Sequence, residues 1–483
     1  MQALIIFCQH QQKVSRVFIK QLVIKFLAVL TWSLSISTFV SAASQTNNQF
    51  SADQSLSLRS AIQQAQAVDP WLTGNRHQQR ALESLSIAAD TLPDPKVSIG
   101  IANLASDTLR FGQEPMTQLK VGVSQLFPRG DTLNLRRQQL KSDSEQYPFL
   151  RQDRREQVTL TVGMLWLNAY QMQQSIALIE ENKSLFSQLI AVAEARYSAT
   201  IGQAQQQDII RAELELSRID DKLVQFSQQK NAYLGQLNQW LMAAKQQEET
   251  SITRLNNNLV LSKELPIIDR QNKAYVIAKR YYSNAELVNT FSSHPSVVAL
   301  DNKIKSVRFE QSIAKQQYQP EWGINASYGY RGNDAQNNNR ADLFSVGVTF
   351  DVPLFTENKQ DQQLKAAVSK TEAVKTEKQL RLRQLLGAFS SAKGRLLQLN
   401  KRQKLYEEKL LPQFHQQAEI ALNAYTNDSG DFGEIVRARI DELDATIDHL
   451  TIKVAQQKLH LELNYVFSKA HSAPSTNQAT LTK

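Results

Sequence analysis

The chain is poor in the residues that interrupt regular structure. Its 16 glycines and 12 prolines make 28 of 483 residues, about 6% where roughly 12% is usual. That scarcity argues against a loop-rich all-β protein and for long uninterrupted elements. The single cysteine, Cys8, falls inside an N-terminal leader, so the body of the chain has no thiol for a disulfide, a zinc-thiolate site or a nucleophile. Beyond the leader no stretch approaches 18 consecutive apolar residues, which excludes a membrane-spanning helix but not membrane-spanning strands. Clustered positive charge is also missing. Lys and Arg number 55 against 46 Asp and Glu, a net +9, and four of the cations, Lys13, Arg16, Lys20 and Lys25, belong to the leader. The remaining 51 against 46, +5, spread over the rest of the chain, is no nucleic-acid footprint. No Ser/His/Asp arrangement, phosphate loop or paired-carboxylate pocket stands in a recognisable context. Histidines 77, 294, 415, 449, 460 and 471 show no ligand spacing, and Met164 and Met172 lie on or near a helical seam. The sequence therefore predicts no enzyme, no cofactor and no metal site.

What the chain has in quantity is apolar residues, at 42%, and 55 glutamines dispersed through its length. The first rules out general disorder, and the second reads as the wet surface of long helices. Residues 1–42 combine four cations, an apolar run over Phe26 to Val40 and small residues at Val40-Ser41-Ala42. This is the pattern of a cleaved secretory signal peptide, the run of about 15 residues being short for a span of about 20.

Four later segments alternate with a period of two. Val97, Ile99 and Ile101 oppose Ser98, Gly100 and Ala102; Leu119, Val121 and Val123 oppose Gln118, Lys120, Gly122 and Ser124. Trp322, Ile324, Ala326, Tyr328 and Tyr330 oppose Gly323, Asn325, Ser327 and Gly329; Phe344, Val346, Val348, Phe350 and Val352 oppose Ser345, Gly347, Thr349 and Asp351. Each has the length of a tilted transmembrane strand and the apolar-out, small-or-polar-in rule of an outer-membrane barrel. The competing reading is a half-buried sheet of a soluble domain. The aromatic set Trp322, Tyr328, Tyr330, Phe344 and Phe350, and polar links at 105–116 and 331–342, favour lipid. Four strands cannot close a barrel, since single-chain barrels begin at about eight. Such strands require a dimer, trimer or tetramer, and their pattern alone does not choose among them.

Between the strand pairs run long helices. Val158, Val162, Leu165, Ala169, Met172, Ile176, Ile179, Lys183, Phe186, Ile190, Ala193 and Tyr197 keep a 4-3 spacing, as do Leu382, Leu385, Phe389, Ala392, Leu396, Leu399, Gln403, Tyr406 and Leu410. These spacings predict helices over about 129–197 and 354–425, each about 100 Å long, kinked at Pro148 and Pro412. The chain also reads as a duplication: Asp69-Pro70 and His294-Pro295, like Phe127-Pro128 and Val352-Pro353, lie 225 positions apart. Expected domains are 43–95 (N-terminal segment and first helix), 96–127 (first hairpin), 128–243 (long helical hairpin), 244–290 (lateral segment), 291–320 (first helix of the second repeat), 321–352 (second hairpin), 353–469 (second helical hairpin) and a polar tail, 470–483. Strands at one end of the long helices and glycine turns at the other describe a conduit.

With Leu92-Pro93-Asp94-Pro95 before the first strand, Gln125-Leu126-Phe127-Pro128 after the second, Val352-Pro353-Leu354-Phe355 after the fourth, and the paired turns Arg196 to Ala212 and Ala424 to Ala438, the chain resembles the TolC family of outer-membrane efflux channels over residues 55–469. The first two motifs and Met116-Thr117 are most similar to its heavy-metal branch. The resemblance implies a mixed α and β membrane protein of duplicated helix-hairpin-helix halves. Three copies would form a twelve-stranded barrel in outer-membrane lipid, continuous with a long periplasmic α-helical barrel. It implies as partners a periplasmic adaptor and an inner-membrane pump of the RND type, and a passive exit for metal cations or small toxic compounds from a Gram-negative bacterium. It places the adaptor-docking tips at Ile201, Gly202, Ser429 and Gly430, and the periplasmic gate at Asp208, Arg211, Glu434 and Arg437. An (i, i+3) salt link within each gate pair competes there with an ordinary solvated helix surface. Val97, Ile99, Val121, Trp322, Tyr328, Phe344, Val346 and Val348 would face lipid or form its girdle. The rival is a periplasmic coiled-coil adaptor, which usually has one helical hairpin between β-rich segments; two hairpins and a short polar tail argue for the channel.

Overall fold

The computed structural model describes residues 55–198, 206–242, 259–269, 282–334, 336–427 and 430–471. All lie in one compact unit that begins at Ser55. The expected signal peptide and the turn residues Ile201, Gly202 and Ser429 lie outside the described residues.

Helices start where the sequence offers a cap. Ser57 caps α1 (Leu58–Val68) by accepting from the Ser60 amide, and Asp69 accepts from Trp71 N to open α2 (Pro70–Ala88). Pro70 suits the first helical position because its missing N–H would have had no partner there. The same device recurs after α6 (Asn284–Phe291), where His294 caps α7 (Pro295–Gln316). Strands β1 (Lys96–Ala102) and β2 (Gln118–Phe127) follow α2, and β3 (Trp322–Tyr330) and β4 (Leu343–Phe350) follow α7. After β2 come α3 (Thr132–Ser144), α4 (Tyr147–Ser198) and α5 (Gln206–Leu241). After β4 come α8 (Gln360–Leu405), a π-helical turn (Tyr406–Leu410), α9 (Leu411–Thr426) and α10 (Phe432–Val466).

The strands form one antiparallel sheet in the order β1-β2-β3-β4. The helices attached to them pack in the matching order, α2 on α3, α3 on α7 and α7 on α8, so each strand continues into a helix of the same lateral rank. The α7–α8 contact is antiparallel and fixed by polar pairs: Asp301 with Lys378 at 2.6 Å, Lys303 with Glu377 at 3.0 Å, Glu310 with Lys370 at 2.7 Å, and the Tyr318 hydroxyl donating to Asp361 at 2.5 Å. Exposed pairs of this kind contribute about 0–1 kcal/mol each. They set register more than they hold the layer together. The packing does that: Ile304, Val307 and Val374 are buried between α7 and α8.

Both proline sites interrupt the helices as the missing N–H requires, but each in its own way. Pro148 falls in the first turn of α4, and the chain restarts there after a break at Glu145 and Gln146. Pro412 falls in the first turn of α9, and the ladder crosses it through the π turn, which shifts the bonding register where an amide is absent. From Gln360 to Thr426 the helical run is about 100 Å long at 1.5 Å per residue.

The first seam is buried at Val158, Val162, Ala169, Met172, Ile176, Ile179 and Phe186, and the second at Leu385, Phe389, Ala392 and Leu396. Alternation of seam and surface hides a second buried set on α4: Trp166 and Tyr170 stack at 5.3 Å, and the indole donates to Leu56 O. Leu56 forms a parallel bridge with Leu261, so part of the segment expected at 244–290 packs with α1, α4 and α5 in one core.

A buried polar node joins α4, α7, α8 and α10. Arg381 Nε donates to Ser296 Oγ at 2.7 Å and its Nη2 to the Tyr465 hydroxyl at 2.5 Å, while that hydroxyl donates to Asp153 Oδ1 at 3.0 Å. His294, fully buried, accepts the Ser296 amide at Nδ1 and has Nε2 at 3.1 Å from Tyr465 O. Burial, with Arg381 adding to it, lowers the imidazole pKa to about 4. The native state thus binds this proton less readily than the unfolded chain, so the stability present above pH 6.5 is lost as pH falls through 4. Asp153, whose carboxyl is pushed up by burial, acts in the opposite sense. Replacing His294 with Gln is expected to flatten the decline of the unfolding midpoint between pH 7 and pH 5, measured on detergent-solubilised protein; an unchanged slope would show that His294 does not carry it.

Candidate membrane sheet and periplasmic tip

The register assigns every strand residue to one of two faces. Val97, Val123, Ala326 and Val346 form one transverse row, and Ile99, Val121, Tyr328 and Phe344 the next. On the helix side of the Val97 row come Gln125, Ile324 and Val348, and then Phe127, Trp322 and Phe350, which end the face there. Apart from Gln125 this face is apolar, and it is exposed: Ile99 at 74%, Phe344 at 72%, Val346 at 64%. Monomeric soluble proteins rarely expose an apolar patch this large. Aromatics gather at its two ends, with Trp322 and Phe350 in contact at 5.1 Å on the helix side and Tyr328, Tyr330 and Phe344 on the other. From Trp322 to Tyr330 a strand rises about 26 Å, or about 20 Å along the normal at barrel tilt, comparable to an apolar band of about 25 Å. Residues 97, 99, 121, 322, 328, 344, 346 and 348 all share this face.

The opposite face is mostly small and polar, with Ser98, Gly100, Gly122, Ser124, Gly323, Asn325, Ser327, Gly329, Ser345, Gly347 and Thr349, and it also carries Lys96, Lys120, Leu126 and Leu343. The outer edges of β1 and β4 have no strand partner among the described residues. Beyond the sheet, the two links are tied together, because Arg331 donates to Pro115 O at 2.7 Å and Arg340 to Glu114 O at 3.2 Å.

Where sheet meets helices, Arg129 acts as a clasp that the sequence pattern did not reveal. Its guanidinium donates to Gln319 O at 2.7 Å and is ion-paired with Asp351, whose other oxygen accepts the Glu321 amide at 2.7 Å. One side chain after β2 therefore ties the entry to β3 and the exit of β4. Arg129→Met keeps the stem but abandons these acceptors, and is expected to lower the unfolding midpoint by a few degrees. An unchanged midpoint would deny the clasp.

At the far end of the long helices, Phe432, Ile435, Val436, Tyr425, Ala212 and Ile219 are buried together, and the Tyr425 and Phe432 rings lie 5.6 Å apart. Gly430 sits against the end of α9: a Cβ there would meet Ala424 Cβ and Tyr425 N, both at 2.9 Å. Glu434 and Arg437 lie on the first turns of α10 and Arg211 on α5, all exposed. No ion pair joins Glu434 to Arg437 among the described residues, and the side chain of Asp208 lies outside them. The structure thus brings the tip residues of α5 and α10 around one small core.

No family model matches the sequence, and no curated protein matches it. Solved structures do. The outer-membrane channel OprN superposes with a TM-score of 0.68 at 13% identity, over 86% of this chain and 90% of that one. The chain has the fold of the TolC-like outer-membrane channels. CusC, whose structures concern folding and transmembrane channel formation, gives 0.66 at 12% identity over 86% and 92%. The outer membrane protein VceC from Vibrio cholerae gives 0.65 at 13% over 85% and 96%. No helix among the described residues is long and apolar enough to cross a membrane.

Proposed function

We propose that this chain is the outer-membrane exit duct of a tripartite efflux pump. Three copies share a twelve-stranded barrel and a helical tunnel. The duct conducts passively, with a periplasmic adaptor docked at the tips and an inner-membrane pump of the RND type supplying the energy. The observation that carries this reading is the four-stranded sheet with an exposed apolar face, aromatics at both ends and two unpaired edges. In lipid each unpaired backbone group costs several kcal/mol, so such a sheet needs further copies to close it. Repeats of helix, hairpin, long helix and return helix on either side of 244–290, and the structural likeness to outer-membrane channels, support the same reading. Metal cations and small toxic compounds are the substrate classes that the family resemblance suggests.

The deciding experiment is the native mass of the mature protein extracted with detergent from the outer-membrane fraction. Three chains per particle are expected. A water-soluble monomer would mean that the strands do not enter lipid, and the reading would fail.

A further inference from the structure

The four strands contain no Asp or Glu, and their two charged residues, Lys96 and Lys120, both lie on the small, polar face. Lys96 pairs with Ser124 at the helix end, and Lys120 stands between Gly100 and Gly329 nearer the outer end. Four residues of β1 separate the two rows, about 13 Å. Both lysines are exposed, and among the described residues no carboxylate engages either ammonium. Of the acids flanking the strands, Asp351 is held by Arg129, and Asp94, two positions before Lys96, forms no ion pair with it among the described residues. Gly100, Gly122 and Gly329 flank Lys120 together with the side chain of Gln118, and Ser98 and Ser124 flank Lys96.

A lysine on an edge strand can serve merely to discourage wrong pairing. Lys120 lies on β2, which is paired on both sides, so that role does not account for it. Neither does attraction to lipid headgroups, because the side chains stand on the face away from the apolar one.

We propose that Lys96 and Lys120 make the barrel an anion-preferring outlet, suited to anionic organic solutes over metal cations. This rests on the exit-duct reading above. With three copies the two rows become two rings carrying six positive charges, uncompensated within the strands. Rings of fixed charge select ions by sign, and a lumen walled by protein focuses their field on whatever passes. The same rings oppose a divalent cation at its last step, which sets this outlet against the heavy-metal expectation.

The test uses Ser327, which lies on the same face in a row between the two lysines. With Ser327→Cys in the full-length assembled protein in outer-membrane vesicles, modification is timed with a water-soluble sulfonate thiol reagent and with its quaternary ammonium counterpart. Each rate is normalised to a free small thiol. The anionic reagent is expected to react on the order of threefold faster at low ionic strength, the preference shrinking as salt screens it. Adding K96Q and K120Q should bring the ratio to about one, and K120E should invert it. An equal ratio with and without the lysines would overturn the inference while leaving the duct intact. A cysteine unreactive to both reagents would instead overturn the lumen assignment, and the inference with it.

Discussion

Lysine at Val346 or Val348 should abolish assembly, whereas lysine at Thr349, one position on, should leave it nearly unchanged. Val346 lies across from Ala326 and Val348 from Ile324 on the exposed apolar face, while Thr349 faces the small, polar side beside Gly323. A lysine at the bilayer midplane costs about 2–4 kcal/mol on the lipid face of a barrel, and the proposed trimer would incur it three times over. On the opposite face the ammonium remains in water. Gly347→Lys is a stricter probe of that face, since a Cβ there meets the Asn325 amide at 2.9 Å, a movable side chain end. Heat-resistant oligomer in outer-membrane fractions is the readout. Equal tolerance at 346, 348 and 349 would mean that neither face meets lipid.

That contrast was legible in the sequence because a strand has a period of two and any slip of one residue would turn the apolar set inward. The helices were legible for a similar reason: Val158, Val162 and Ala169 repeat at a spacing that only a helix aligns, and all three are buried. Pattern fails where a residue acts through a distant partner. Arg129 and Asp351 are 222 positions apart, and nothing local marks either as half of a clasp. Trp166 and Tyr170 were missed because they lie off the seam, on a face covered by α1 and by Leu261 from beyond the first helical hairpin. The node of Asp153, His294, Arg381 and Tyr465 draws one residue from each of three helices and the cap of a fourth. Its only local sign was the His294-Pro295 cap, which looked like a counterpart of Asp69-Pro70. The counterpart is partial. Asp69 is ion-paired with Arg154 at 2.8 Å, whereas a neutral imidazole cannot pair with Arg381, and that guanidinium turns to Ser296 and Tyr465 instead.

At the tip, Gly430→Val is expected to abolish efflux while leaving the amount of trimer unchanged. The ground is steric. The Cβ of any residue at 430 falls 2.9 Å from the Tyr425 amide nitrogen and 3.0 Å from the Ala424 carbonyl carbon, both backbone atoms at the end of α9. Backbone cannot step aside as a side chain can, so the approach of α9 to α10 must open and the packing of Tyr425 on Phe432 must shift. The sheet and its clasp lie at the other end of the long helices, and sites so far apart with no shared partner respond independently. Assembly therefore survives while the proposed docking end is deformed. Glu434→Gln is the milder companion: the side chain is exposed on α10 and supports no described ion pair, so any loss of transport from it reports contact with an adaptor or with the gate and not a loss of folding. The measurement is drug or metal susceptibility of cells carrying each variant in place of the wild type, with trimer quantified in the same membranes. Full transport by Gly430→Val would remove Gly430 from the docking end, and full transport by both variants would move docking and gating away from this turn altogether.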